Sequence, residues 1–159
     1  MTKKYKVIPH ENMGRIVVAT DHYAYNELIC VGRRTGVAQI RNNYSLQISE
    51  QEHAYLDEPA QVFSHSCAPN VYIVDNDFGG YNFYAARDIE PEEILAFHYG
   101  MSEAESIAVS VCCCGAKNCL GKSVGFKEAP FHVQTYLYNL GVSSYLRKCY
   151  EDIKDKTKH

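Results

Sequence analysis

Residues 86–100 read ARDIEPEEILAFHYG. A charged turn, Arg87 to Glu93, runs into a short apolar strand, Ile94 to Phe97, which ends on His98, Tyr99 and Gly100. Two further segments flank it: SHSCAPN at Ser64 to Asn70, and CCCGAKNCLG at Cys112 to Gly121. Between the first of these and the charged turn, the sequence predicts a strand at Val71 to Val74. A turn dense in Asp, Asn and Gly follows at Asp75 to Gly80, then an alternating strand at Tyr81 to Ala86. Toward the N-terminus it predicts two short strands within Gly14 to Val31, separated near Asp21 and His22, and a strand pair within Val37 to Ile48 around Asn42 and Asn43. Ser49 to Ala60 reads as a polar loop or short helix. From Ala129 the signals turn helical. Pro130 suits a first turn, Gly141 a stop, and Ser143 or Ser144 the cap of a final helix ending in a Lys-rich tail. The expected class is mainly β (α+β), short-stranded sheets followed by helices.

The 159 residues fit one core, with 46% apolar and 22% charged side chains, the balance of a globular chain rather than a disordered one. A net charge of −3 argues against direct nucleic-acid binding, which draws on clustered Lys and Arg. There is no signal-peptide-like start and no run approaching the ~18–20 apolar residues of a membrane span. The expected location is therefore intracellular, cytoplasmic or nuclear, with no membrane partner.

Seven cysteines are many for such a chain, and their clustering without a secretion signal speaks for metal rather than disulfides. Cys112, Cys114 and Cys119 can close around one ion. A closed zinc site wants four tetrahedral ligands, and Cys67 is the best fourth. Cys113 is then a bystander, while Cys30 and Cys149 read as small buried apolar residues. Thirteen tyrosines and no tryptophan could line a tyrosine-rich pocket, though strand tyrosines are commoner.

Taken together, SHSCAPN, ARDIEPEEILAFHYG and CCCGAKNCLG resemble the N-H-S-C-x-P-N, R-D-I-x-x-G-E-E-L-x-x-x-Y and C-x-C-G-x3-4-C-x-G signatures of SET-domain lysine methyltransferases and their post-SET zinc site. The upstream MGRIVVAT and NELI are similar to the family's opening pattern, so the resemblance spans roughly residues 10 to 126. It implies a SET-domain fold over 1–111, with a pseudoknot in which the segment after Tyr99 passes under the Ser64–Asn70 loop. A post-SET zinc-binding segment over 112–126 and a C-terminal helical extension over 127–159 would follow. The Ser49 to Ala60 stretch is all that stands for the long insert of many relatives.

By the same resemblance, the chain transfers methyl from S-adenosylmethionine to a lysine amine of a protein or peptide, with zinc at Cys67, Cys112, Cys114 and Cys119. Tyr99 is the catalytic tyrosine. Phe97 stands where Phe rather than Tyr leaves room for di- or trimethylation. Cofactor contacts carry over to Met13, Gly14, Arg15, Ser64, His65 and Tyr99, with Tyr44 and Phe126 as weaker candidates. Taken singly, each has a plainer role: a strand-end tyrosine with a structural hydrogen bond, a core phenylalanine, a half-buried strand tyrosine. The flanking motifs lift them above it.

Five positions depart from the family pattern. Ile16 replaces the second Gly of G-x-G, Ser64 replaces Asn, His98 replaces Asp, and Pro91 and Glu92 occupy a usual Gly turn. Strand alternation turns His98 away from the site that Tyr99 faces, toward packing or the surface. His10, His22, His53 and His132 carry no expected role. Two other functions stand beside the main one: methylation of a small amine, and a binding module whose cofactor pocket Ile16 and Ser64 have weakened.

Overall fold

Alternation of large apolar with polar residues builds the central sheet. In Tyr81–Ala85, the side chains of Tyr81, Phe83 and Ala85 are fully buried while Asn82 and Tyr84 stay half-exposed, the period-two signature of a strand with one face on the core. The computed structural model describes residues 3–107, 112, 114 and 116–157, so Cys113 lies outside the described residues. Its strands are β1 Tyr5–His10, β2 Gly14–Ala19, β3 Leu28–Gly32, β4 Arg34–Val37, β5 Leu46–Gln47, β6 His53–Leu56, β7 Ser64–His65, β8 Val71–Asp75, β9 Tyr81–Ala85 and β10 Ala96–Phe97. Two helices follow, α1 Phe131–Leu140 and α2 Ser144–Thr157.

The strands form four small sheets. Hairpin β1–β2 runs antiparallel from Tyr5 opposite Ala19 to His10 opposite Gly14. The orders β3-β9-β8 and β4-β6-β5 give two three-stranded antiparallel sheets, and β7 pairs in parallel with β10, Ser64 opposite Ala96 and His65 opposite Phe97. Two residues per strand cannot hold a parallel pair, and a side chain fastens it. Buried Asn70 accepts from the Ala96 amide through Oδ1 and donates through Nδ2 to the Ile94 carbonyl, both at 2.9 Å. Its own amide reaches the Ala96 carbonyl at 3.1 Å.

One buried cluster joins the sheets and the C-terminal helices, including Val17, Ile73, Phe83, Leu95 and Phe97 from the β part and Leu137, Leu146 and Tyr150 from α1 and α2. Each such side chain removed from water contributes roughly 1.5–3 kcal/mol. Helix α1 begins after Pro130 and stops at Gly141, whose φ of 151° only glycine adopts without strain. Helix α2 is anchored at its start by Ser144, whose amide and hydroxyl donate to Asp75 at 2.9 and 2.7 Å.

Two expectations change. The pair predicted around Asn42 and Asn43 does not form: β4 and β5 each pair with β6 instead. That strand lies inside Ser49 to Ala60, where a loop or short helix was expected. His53-Ala-Tyr-Leu56 alternates half-buried and buried, but four residues among Glu, Gln and Asp are too few to register as a strand before their partners are known. Strand β10 is also shorter than Ile94 to Phe97; Ile94 instead makes an isolated antiparallel bridge to Val18.

Candidate active site

The parallel β7–β10 pair sets Ser64 and His65 beside Phe97 and the residues that follow it. Tyr99 opens a one-turn 3-10 helix, Tyr99–Met101, for which His98 is the cap: its Nδ1 accepts from the Gly100 amide at 2.9 Å. His65 Nδ1 accepts from the Tyr99 amide at 3.0 Å, and the two rings lie 5.1 Å apart. Tyr99 Oη donates to the Phe63 carbonyl at 2.8 Å. One ring is thus fixed by a backbone amide, a neighbouring imidazole and its own hydroxyl. Both histidines must be neutral to accept at Nδ1, and burial agrees, lowering His65 to about 4 and, with His65 beside it, His98 to about 3. His98 is a packing residue, 2% exposed, as strand alternation implied.

Phe97 and Tyr99 face a partly open pocket lined also by Phe63, Tyr44, Arg41 and Glu103. The Phe97 ring lies 5.1 Å from Tyr99 and edge-on to Phe63 at 6.5 Å. Because the Tyr99 proton is engaged by Phe63, its hydroxyl oxygen offers lone pairs, not a proton, to whatever enters. Burial, then the nearby Glu103, raises the phenol well above its ordinary range, so that oxygen stays a neutral acceptor. Aromatic walls, an oriented acceptor oxygen and one charged pair suit an apolar stem ending in a positively polarised group.

The remaining candidates scatter around this centre. Gly14 has φ of 72° and open space where a Cβ would stand, leaving room for a ligand to approach the backbone. Met13 beside it is exposed, and Arg15 pairs with Glu58 at 2.6 Å. Tyr44, 63% exposed, stands at the cavity rim. Ser64 is buried in β7, and Ile16 sits in the core. Phe126 is fully buried, its ring edge-on to Tyr150 at 6.5 Å and its carbonyl bonded by Gln134 Nε2 at 2.8 Å; it does not line the cavity. Gly125 makes that placement possible, since a Cβ there would run into the Ala104 backbone.

The four cysteines converge: the sulfurs of Cys67, Cys112, Cys114 and Cys119 lie within 4.8 Å of one another. Tetrahedral zinc with Zn–S bonds of about 2.3 Å places its sulfurs about 3.8 Å apart, so the set fits one ion after small adjustments. Backbone bonds shape the knuckle, Cys112 N to Gly121 O at 2.8 Å and Cys119 N to Ala116 O at 3.1 Å, and Asn118 Nδ2 ties it to the Cys67 carbonyl at 3.1 Å. Burial pushes the Cys67 thiol up to about 11 and raises Cys112 further. Burial opposes ionisation of Cys114 too, but hydrogen bonds from the Cys67 and Ala116 backbone and from the Cys112 and Cys119 thiols bring it down to about 6. A second trio, His65, Cys67 and His98, also clusters within 4.8 Å. It does not suit a metal. With Nδ1 of each ring accepting a backbone amide, Nε2 carries the hydrogen, and His65 Nε2 at 3.6 Å from Cys67 Sγ is a donor to sulfur.

Sequence reasoning assigned no role to Asn70, Arg41 and Glu103. Asn70 stood in a quoted motif. Arg41 and Glu103 are 62 positions apart, and nothing in the sequence pairs them.

A family model described as "SET domain" matches residues 7–100, more than half the chain. Among curated proteins, the chain is 39% identical over 69 residues to "Histone-lysine N-methyltransferase, H3 lysine-9 specific SUVH1" of Nicotiana tabacum, a match covering 39% of this chain and 10% of that protein. Among solved structures it resembles KRYPTONITE in complex with mCHG DNA and SAH (TM-score 0.56, 24% identity, 74% of this chain and 28% of that one). It also resembles the methyltransferase domain of human Histone-lysine N-methyltransferase SETMAR (TM-score 0.58, 16% identity, 79% and 59%). These structural likenesses concern the fold. The chain spans about a tenth of the tobacco relative and under a third of the KRYPTONITE chain.

Proposed function

The chain belongs to the SET-domain family, and from that membership we propose that it transfers methyl groups from S-adenosylmethionine to the side-chain amine of lysine in a protein or peptide. One observation carries the reading: the Tyr99 hydroxyl, its proton held by the Phe63 carbonyl, faces the Phe97-walled cavity as an acceptor oxygen. S-adenosylmethionine supplies a methyl on a positively charged sulfur. Tyr99 and the surrounding carbonyls favour that positive methyl and align the amine with it, so orientation provides most of the rate. Met13, Gly14, Arg15, Ser64 and His65 are the residues to hold the cofactor, with Tyr44 flanking. Open backbone at Gly14 and the half-buried Tyr99 beside His65 support that set.

Zinc at Cys67, Cys112, Cys114 and Cys119 ties the C-terminal segment to the β7–β8 loop, making metal binding part of folding there. Segments 1–111, 112–126 and 127–159 then serve as SET core, zinc segment and helical extension. Phe97, which lacks a hydroxyl to order a water against a methylated amine, supports di- or trimethylation. The tobacco relative's name, which specifies lysine 9 of histone H3, supports a basic protein substrate and a nuclear setting. The net charge of −3 supports a domain that does not itself grip nucleic acid. Among the described residues no helix is long and apolar enough to cross a membrane.

The test is incubation of zinc-replete protein with labelled S-adenosylmethionine and histone H3(1–15) peptide, read by mass spectrometry, with a panel of lysine peptides and small amines alongside. Methyl increments on a peptide lysine, lost in Tyr99→Phe, are expected. Labelling of small amines alone would move the substrate class, and no labelling of anything by folded protein would overturn the reading.

A further inference from the structure

Glu103 is 7% exposed, yet it lines the cavity that holds Tyr99 and Phe97. It follows Tyr99 by one turn, its amide bonded to the Tyr99 carbonyl at 2.8 Å, which brings its side chain to the same side of the chain. Its two carboxylate oxygens are treated unequally. Oε2 accepts from the Gln47 amide at 2.8 Å and the Ser102 hydroxyl at 2.7 Å. Among the described residues Oε1 meets only Arg41 Nη2, at a loose 3.4 Å. That guanidinium is committed elsewhere: Nη2 donates to the Glu105 carbonyl at 2.5 Å, and among the described residues its buried Nε has no hydrogen-bond partner. Burial lifts the Glu103 carboxyl above its ordinary range, the mark of a charge that its surroundings compensate incompletely.

We propose that Glu103 is a specificity residue: its Oε1 receives the ammonium of an alkylammonium side chain entering the cavity, while Arg41 stays on the Glu105 carbonyl. This rests on the reading of the cavity as the amine site. The apolar stem would lie along Phe63, Phe97 and Tyr44, with the charge meeting the one under-bonded carboxylate oxygen. A plainer role for Glu103, as anchor for Gln47 and Ser102, uses Oε2 alone. Glutamine keeps one acceptor oxygen for that role and replaces the charged Oε1 by a neutral NH2, so Glu103→Gln separates the two.

The experiment titrates zinc-replete protein with n-butylammonium chloride and, separately, with n-butanol, following the cavity residues by NMR in wild type and Glu103→Gln. Wild type is expected to prefer the cation by about tenfold or more, and the variant to lose that preference with its melting temperature unmoved, as for a charge-assisted bond made to a buried carboxylate. With the H3(1–15) peptide, KM should rise by more than kcat falls. A preference that survives in Glu103→Gln, or is absent from wild type, overturns the proposal. Methyl transfer measured in parallel separates the failures. Transfer absent with the cation preference intact removes the methyltransferase reading and leaves Glu103 as a cation site. Preference absent with transfer intact removes Glu103 alone.

Discussion

Tyr99→Phe deletes one oxygen and should affect stability and catalysis very differently. In the folded chain the hydroxyl makes one neutral hydrogen bond, 2.8 Å to the Phe63 carbonyl. Losing such a bond costs about 1 kcal/mol, and the low end applies because Phe63 lines a cavity from which water can reach the abandoned carbonyl. For a chain of this size that is a fall of about 2–4 °C in melting temperature. Removing an oriented group that acts on the reacting charge costs more, about 10²–10³-fold in kcat or roughly 2.7–4 kcal/mol. Thermal unfolding by circular dichroism and single-turnover methyl transfer, both on zinc-replete protein, give the two numbers. A drop of a few degrees with less than about fivefold loss of turnover would refute the reasoning, because the hydroxyl would then be only a brace for the Phe63 carbonyl.

Zinc binding to the metal-free protein at pH 7.5 should release at least two protons, from Cys67 with its thiol near 11 and the still higher Cys112, while Cys114 near 6 is already a thiolate; calorimetry in buffers of different ionisation enthalpy counts them, and release of none would contradict the assigned set. Glu92 carries φ of 75° where the family pattern has a Gly turn, so Glu92→Gly should relieve left-handed strain and raise stability by about 0.5–1 kcal/mol, checked by urea midpoint. An unchanged or lower midpoint would mean that the turn is unstrained. His65 and His98 titrate near 6.5 when unfolded but hold off protonation to about 4 and about 3 when folded. Their contribution is therefore fully present above pH 6.5 and lost as pH falls toward 4 and 3, with a slope approaching about 1.4 kcal/mol per pH unit for each. Zinc-replete His98→Asn should show a flatter loss of stability between pH 7 and 5 than wild type; parallel curves would argue against it.

The segments that decide the fold were legible because they carry dense local chemistry. The strands around Val71 and Tyr81, the helix between Pro130 and Gly141 and the grouping of Cys112, Cys114 and Cys119 all follow from short-range pattern or spacing, and Cys67 from zinc's need for a fourth ligand. Pairing partners were not legible. Strand β6 spans four residues and β5 two, too short for a periodicity to declare itself, and which strand each joins is settled by tertiary packing. Within the site, Tyr99 and Phe97 could be named from their motif, but the carbonyl that fixes the Tyr99 hydroxyl belongs to Phe63, just outside SHSCAPN. Glu103 and Arg41 needed the folded chain to bring them together. Phe126, expected at the cofactor or the amine channel, lies buried against Tyr150, a placement set by helix α2, for which the motif has no counterpart.

The central claim is that this domain uses S-adenosylmethionine, and calorimetric titration of the zinc-replete protein with that cofactor tests it most directly. Micromolar binding is predicted, weakened when Gly14→Val fills the open space beside the backbone. Folded, zinc-loaded protein that takes up no S-adenosylmethionine, alone or with H3(1–15) peptide present, would contradict the account and leave a SET fold serving as a binding module.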